Sequence, residues 1–139
     1  MFDNTLKYAG FLKHIPLLPQ LFEGMIKIHT LITNKKVIDY TDDIEQVVLS
    51  WEGTSVRNHK FGGLQFDVNS KEMGHIHGNG LLDVLFSREI KNKLMQEGRV
   101  QDHHVFKNSG WISFLILNEE EKKYAIRILR ESYLLKLHR

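Results

Sequence analysis

The sequence predicts an α+β fold: a small, mainly antiparallel sheet with helices packed against it and a long C-terminal helix. Three observations carry this. Short alternating segments separated by turn signals run from Thr54 to His77, an apolar run spans Trp111 to Leu117, and stripes of helical period lie on both sides. At 139 residues, with 42% hydrophobic and 26% charged residues, the composition is that of an ordinary single domain, 1–139, opening with a helical N-terminal extension over 1–40.

The extension reads as two short helices broken around Pro16 and Pro19. Leu18, Phe22, Met25, His29 and Ile32 recur at helical spacing, so the second helix is expected to bury that face as a lid over the core. Asn34-Lys35-Lys36 is the expected loop before a helix capped by Thr41 or Asp42. In that helix Ile44, Val47, Val48 and Trp51 form a buried stripe, and Gly53 ends it. Strands follow at 54–59, 63–68 and 71–77, the last two joined by a turn at Asn69-Ser70. Ser87 caps a helix running to Glu97, which Gly98 stops in a left-handed conformation. The 111–117 run, apolar apart from Ser113, is expected to be a strand covered on both faces. Asn118 and Glu121 form a capping box for the final helix, whose i,i+4 charge pairs read as a solvated face.

Composition also narrows the function. A formal net charge of +2, with acids interleaved among the bases, does not make the basic stripe of a nucleic-acid binder. The absence of cysteine excludes disulfides, thiol nucleophiles and zinc–thiolate sites. The N-terminal stretch lacks the pattern of a signal peptide, and 11–32 is too interrupted by charge and proline for a membrane span. A cytoplasmic protein with no nucleic-acid or membrane partner is the expectation. There is no P-loop, dinucleotide-binding glycine motif or nucleophile elbow.

A series of short motifs then stands in order: His59-Lys60-Phe61-Gly62-Gly63, Glu72-Met73-Gly74-His75-Ile76-His77-Gly78-Asn79-Gly80 and Asp83-Val84-Leu85-Phe86. After a helix come Glu97-Gly98-Arg99, His103-His104, Ser109-Gly110-Trp111 and Leu129-Arg130-Glu131-Ser132-Tyr133. The series resembles the luciferase-type domain family, named for the luciferase of bioluminescent fungi, and places such a domain at 51–133. In the fungal enzyme the resemblance implies oxidation of a hydroxylated pyrone by dioxygen. For this chain it suggests a small aromatic or pyrone-like ligand, with function following from the site rather than the fold.

His75 and His77 share a face of their strand. A regular hairpin closed at Asn69-Ser70 pairs Phe66 with Met73, Leu64 with His75 and Gly62 with His77. That register puts both histidines on the apolar face and turns Glu72 away from them. Three readings compete: a metal site completed by His59, Asp83, His103 or His104; a metal-free acid/base or binding pocket; and core histidines satisfied by backbone groups. No cofactor is firmly implied, although two histidines with a carboxylate suit a divalent metal. The glutamate that a cupin metal motif requires is Leu81 here. Candidate catalytic residues are therefore His75, His77 and His104, with His59, Phe61, Asp83, His103 and Trp111 as candidate substrate contacts, and no residue assigned to metal. Trp111 reads more readily as core packing than as a stacking platform. Only one of the adjacent His103 and His104 can join the first pair. The alternative to a small-molecule pocket is an interaction module in which the same histidines hold the fold.

Overall fold

Ten elements succeed one another in the computed structural model, which describes residues 18–60, 62–103 and 105–138. They are α1 (Leu18–Thr33), α2 (Lys35–Leu49), β1 (Thr54–Asn58), β2 (Leu64–Val68), β3 (Lys71–Ile76), β4 (Leu81–Leu85), α3 (Arg88–Gln96), β5 (Gln101–Asp102), β6 (Trp111–Leu115) and α4 (Glu119–Leu137). The six strands form one antiparallel sheet in the order β1-β2-β3-β4-β6-β5. The architecture is α+β and ends in a helix of 19 residues. No described helix is long and apolar enough to cross a membrane.

Local chemistry explains most boundaries. Asn69 and Ser70 both take left-handed φ values, 48° and 66°, and so make the two-residue turn between β2 and β3. Ser87 Oγ accepts a hydrogen bond from Ile90 N, capping α3, and Gly98 at φ 79° ends the segment beyond it. At α4, Asn118 Oδ1 accepts from Glu121 N at 2.9 Å. The Glu121 carboxylate reaches back to Leu117 N, one residue before the cap.

One face of the sheet carries the core. Phe66, Val68, Met73, Ile76, Leu82, Val84, Ile112 and Phe114 pack with Ile44 and Val48 of α2 and Ala125, Ile128, Leu129 and Tyr133 of α4. Burying each large side chain contributes roughly 1.5–3 kcal/mol.

Three expectations are overturned. The helix expected to start at Thr41 or Asp42 starts at Lys35, with only Asn34 outside it, because Val37, Ile44 and Val48 make one continuous buried stripe. Thr41 lies inside it and donates to Val37 O. Next, α1 turns its expected core face outward: Phe22 and Met25 are 62% and 68% exposed, while Glu23 and Thr30 are buried. Glu23 faces inward because its carboxylate bonds His77 and the Gly78 N–H. The Ile32 side chain and the first predicted helix lie outside what is described. Finally, the cover on both faces of β6 stops short of its end: Ser113 is buried, but Leu115 on the same face is 42% exposed.

The β2–β3 register is the correction that matters for function. Val68 pairs with Lys71 and Asp67 with Glu72, as a regular hairpin requires. Phe66 then pairs with Gly74, Gln65 with His75 and Leu64 with Ile76, so the ladder slips by one residue. The extra residue is Met73, which forms a β-bulge and enters the core. Gly74 fits the bulge because a Cβ there would sit 2.4 Å from Asp83 O. Beyond the bulge Ile76 points into the core, whereas His75 and His77 point to the opposite, polar face together with Glu72.

Candidate functional site

That polar face gathers residues from most of the sheet. Gln65 and Asp67 on β2, Glu72 and His75 on β3, Asp83 on β4 and Ser113 on β6 project from it, joined by His59, His77 and His103 from adjoining turns. Asp83 lies at the centre and is 0% exposed. Its Oδ1 accepts from Ser113 Oγ at 2.5 Å. Its Oδ2 faces three imidazole Nε2 atoms: His77 at 3.1 Å, His75 at 3.2 Å and His103 at 3.5 Å.

Each imidazole is also held by its other nitrogen. His75 Nδ1 lies 2.8 Å from Glu72 Oε1, and His77 Nδ1 lies 2.6 Å from Glu23 Oε1 on α1. A carboxylate oxygen only accepts, so both Nδ1 atoms carry a proton. His103 is the reverse, because its Nδ1 accepts from Val105 N and Phe106 N, both at 3.1 Å. In its neutral form the proton is therefore on Nε2, pointing at Asp83. His59 stacks on His75 with ring centroids 3.9 Å apart, and its Nε2 lies 3.5 Å from Glu72. Trp111 covers the cluster, its ring centre 5.3 Å from His75 and 6.1 Å from His103.

The segment carrying His103 and leading to Trp111 is tethered by a residue the sequence did not flag. Lys91 of α3 is buried, and its Nζ contacts Asp102 Oδ1 and the carbonyl oxygens of Lys107 and Ser109. A lysine among polar helix residues gives no periodic sign of burial, so only its i+3 relation to the buried Leu94 could have marked it.

Electrostatics follow from these contacts. Burial alone would lower the His77 pKa, but its hydrogen bonds to Asp83 and Glu23 outweigh that and push it up to about 9. His75 is raised for the same reason, through Asp83 and Glu72. Burial, reinforced by the neighbouring His75 charge, lowers His59 to about 4. For Asp83 burial acts upward, yet the His75, His77 and Ser113 hydrogen bonds hold it well below the carboxylate range. Glu23 and Glu72 are also lowered: burial opposes this, and their histidine bonds prevail.

A pH dependence of stability follows for the metal-free protein. The His77 contribution is complete below its unfolded pKa of about 6.5 and is lost as pH rises through about 9. The lowered pKa of His59 acts oppositely, its contribution being present above about 6.5 and lost as pH falls toward about 4. The Asp83 and Glu23 contributions disappear in acid as well. Thermal melts in chelator from pH 4 to 10 should show greatest stability near neutrality, and His77→Gln should remove most of the alkaline decline. An unchanged alkaline limb in the variant would contradict the ion pairs.

The structure thus brings together six of the eight residues singled out from sequence: His59, His75, His77, Asp83, His103 and Trp111. Phe61 and His104 lie outside the described residues. Trp111 is not in the core as expected, but on the polar face over His75. Glu72, expected to point away, is a direct partner of His75. Glu23, Gln65, Asp67 and Ser113 were not predicted; Glu23 is 54 residues from His77, and no local pattern announces such a contact. Among the described residues, two overlapping groups could hold a metal ion, His59–Glu72–His75 and His75–His77–Asp83.

The cluster is not the wall of an open pocket, as the sequence suggested. His75, His103 and His59 are buried, and His77 alone of the four lines a cleft of about 320 Å3 between α1 and the sheet end. Gln20, Glu23 and Lys27 of α1 form one wall, and Leu64 and Ile76 lie opposite. Gln20 Oε1 is buried and is the only such side-chain atom without a hydrogen-bond partner among the described residues.

Residues 70–132 match the family model described as luciferase domain, the family that the motifs resemble. The match takes in Glu72, His75, His77, Asp83, His103 and Trp111, and leaves out Glu23 and His59. No curated protein and no solved structure matches the chain.

Proposed function

We propose, from the luciferase-domain match, that this chain binds a small hydroxylated aromatic or pyrone-like molecule in the cleft beside His77 and oxidises it with dioxygen. The observation that carries the proposal is the double placement of His77. It lines the cleft and bonds both Glu23 in the cleft wall and Asp83 in the buried cluster. Gln20 and Glu23 stand one turn apart on α1 as acceptors for ligand hydroxyls, and the apolar Leu64 and Ile76 suit a flat ring. A buried acceptor left unpaired costs about 1–3 kcal/mol, which a ligand hydroxyl donating to Gln20 Oε1 would offset. In the reaction class implied by the family, the acidic hydroxyl gives its proton to water, leaving an enolate beside the positively charged His77. The enolate's electron pair then forms a C–O bond to dioxygen, and the peroxide anion takes a proton from water.

The test is a panel of hydroxylated aromatics and hydroxypyrones, read by calorimetric binding and by oxygen consumption. At least one compound should bind and consume oxygen. Gln20→Leu should weaken that binding about 3- to 10-fold, the worth of one hydrogen bond, and His77→Gln, which removes the positive charge beside the enolate, should cut oxygen consumption about 100-fold or more. No binding across the panel, or variants indistinguishable from wild type, would overturn the reading.

The second reading, a non-catalytic interaction module with structural histidines, is favoured by one observation. Leu21, Phe22, Met25 and Ile28 line the exposed side of α1. A protein whose only loss on Met25→Asp is binding of a partner protein would support it.

A further inference from the structure

We infer that His75 Nε2, His77 Nε2 and Asp83 Oδ2 form a binding site for one first-row divalent metal ion. The inference deepens the cleft reading, since His77 belongs to both, but it stands on separate observations. The first is separation. Two ligand atoms on one ion with bonds of about 2.0–2.2 Å sit roughly 3–3.5 Å apart, and the two Nε2 atoms lie 3.2 and 3.1 Å from Asp83 Oδ2.

The second observation is the outer shell. A metal-bound histidine needs its far ring N–H held by an acceptor, which fixes the tautomer and raises the ligand's basicity. Both histidines have this arrangement from carboxylates on different elements, Glu72 for His75 and Glu23 for His77. Ser113 Oγ occupies Asp83 Oδ1 and leaves Oδ2 directed at the imidazoles. Every candidate ligand therefore has its own orienting partner.

The same test rejects the neighbours. Neutral His103 has no lone pair to offer at Nε2, because its Nδ1 accepts two backbone N–H groups. It is a hydrogen-bond donor to Asp83. The overlapping group His59–Glu72–His75 would take Glu72 itself as a ligand, removing the acceptor that orients His75 for Asp83. The donor set of two imidazoles and one carboxylate suits ferrous, manganous, cobaltous or zinc ions rather than calcium or magnesium. Bound there, the ion places its positive charge beside the histidine that opens onto the cleft.

The test uses the whole chain, purified after expression in metal-supplemented medium, by elemental analysis and by titrating chelator-stripped protein with cobalt(II), read by visible absorption. One ion per chain and a saturable cobalt spectrum are expected. His77→Gln should weaken cobalt binding at least 100-fold. Glu23→Gln and Glu72→Gln, which leave the ligands in place, should weaken it about 10- to 100-fold. His103→Gln should keep the stoichiometry and the spectrum. Circular dichroism of each variant separates lost ligands from lost folding, and the weakening must appear in variants that remain folded. Absence of stoichiometric metal, a His77→Gln variant binding like wild type, or a loss in His103→Gln equal to that in His77→Gln overturns the assignment. A metal-free protein that still binds a panel compound would sink the metal site and leave the cleft reading standing. One ion per chain with no ligand bound would do the reverse.

Discussion

Replacing Asp83 with alanine should lower the free energy of unfolding by about 3–5 kcal/mol, the range for breaking a buried ion pair from one side. Asp83 has no exposed surface and answers three imidazoles and the Ser113 hydroxyl. Without it, His75 and His77 keep their Glu72 and Glu23 bonds, but their Nε2 atoms and the Ser113 hydroxyl face a cavity. Urea unfolding in chelator, with the slope checked for constancy, measures the loss free of any bound ion. Asp83→Asn keeps the volume and should recover part of the loss, because its amide oxygen still accepts one imidazole N–H. A cost below about 1 kcal/mol for alanine would mean that water already solvates the cluster, contrary to its burial.

Gly110→Ala should be comparably severe, costing about 3 kcal/mol or more. A Cβ at this position would lie 1.6 Å from Phe86 O and 2.6 Å from Phe86 C, both backbone atoms that no rotamer change can move. The same pair is joined by the Phe86 N–H bond to Gly110 O, so β6 cannot retreat from the end of β4 without losing it. Trp111 is the next residue and covers His75. Alongside reduced stability, the variant should therefore show changed Trp111 emission, measured in a Trp51→Phe background. An alanine variant with unchanged stability and emission would refute the close approach. This contact gives Ser109-Gly110-Trp111 a physical meaning: the glycine permits the close side-by-side approach of the β4 and β6 ends that seats the indole.

Much of the scaffold was legible because it rests on local chemistry. Asn69-Ser70, Ser87 and Gly98, and the Asn118/Glu121 cap each act within a few residues, and each stands where the sequence put it. The α1 orientation was not legible, because the distant carboxylate bond from Glu23 to His77 overrides hydrophobic periodicity. The candidate site shows both outcomes in one strand. The composition of the cluster was readable, since His59, Asp83 and His103 were named as possible partners of His75 and His77. Its face was not, because a regular ladder was assumed. Met73 and Ile76 held the missing clue. They are three apart, so strict alternation cannot bury both, and Gly74 between them is a residue that marks bulges.

The bulge leaves the sheet acting as a partition, with hydrocarbon on the helical side and the buried histidine–carboxylate cluster on the other. Repacking Phe66, Val84 or Ile128 should alter cohesion without reaching an imidazole. A library varied at Lys27, Thr41 and Asn58, which line the cleft, would explore new guests while the hydrophobic foundation stays untouched.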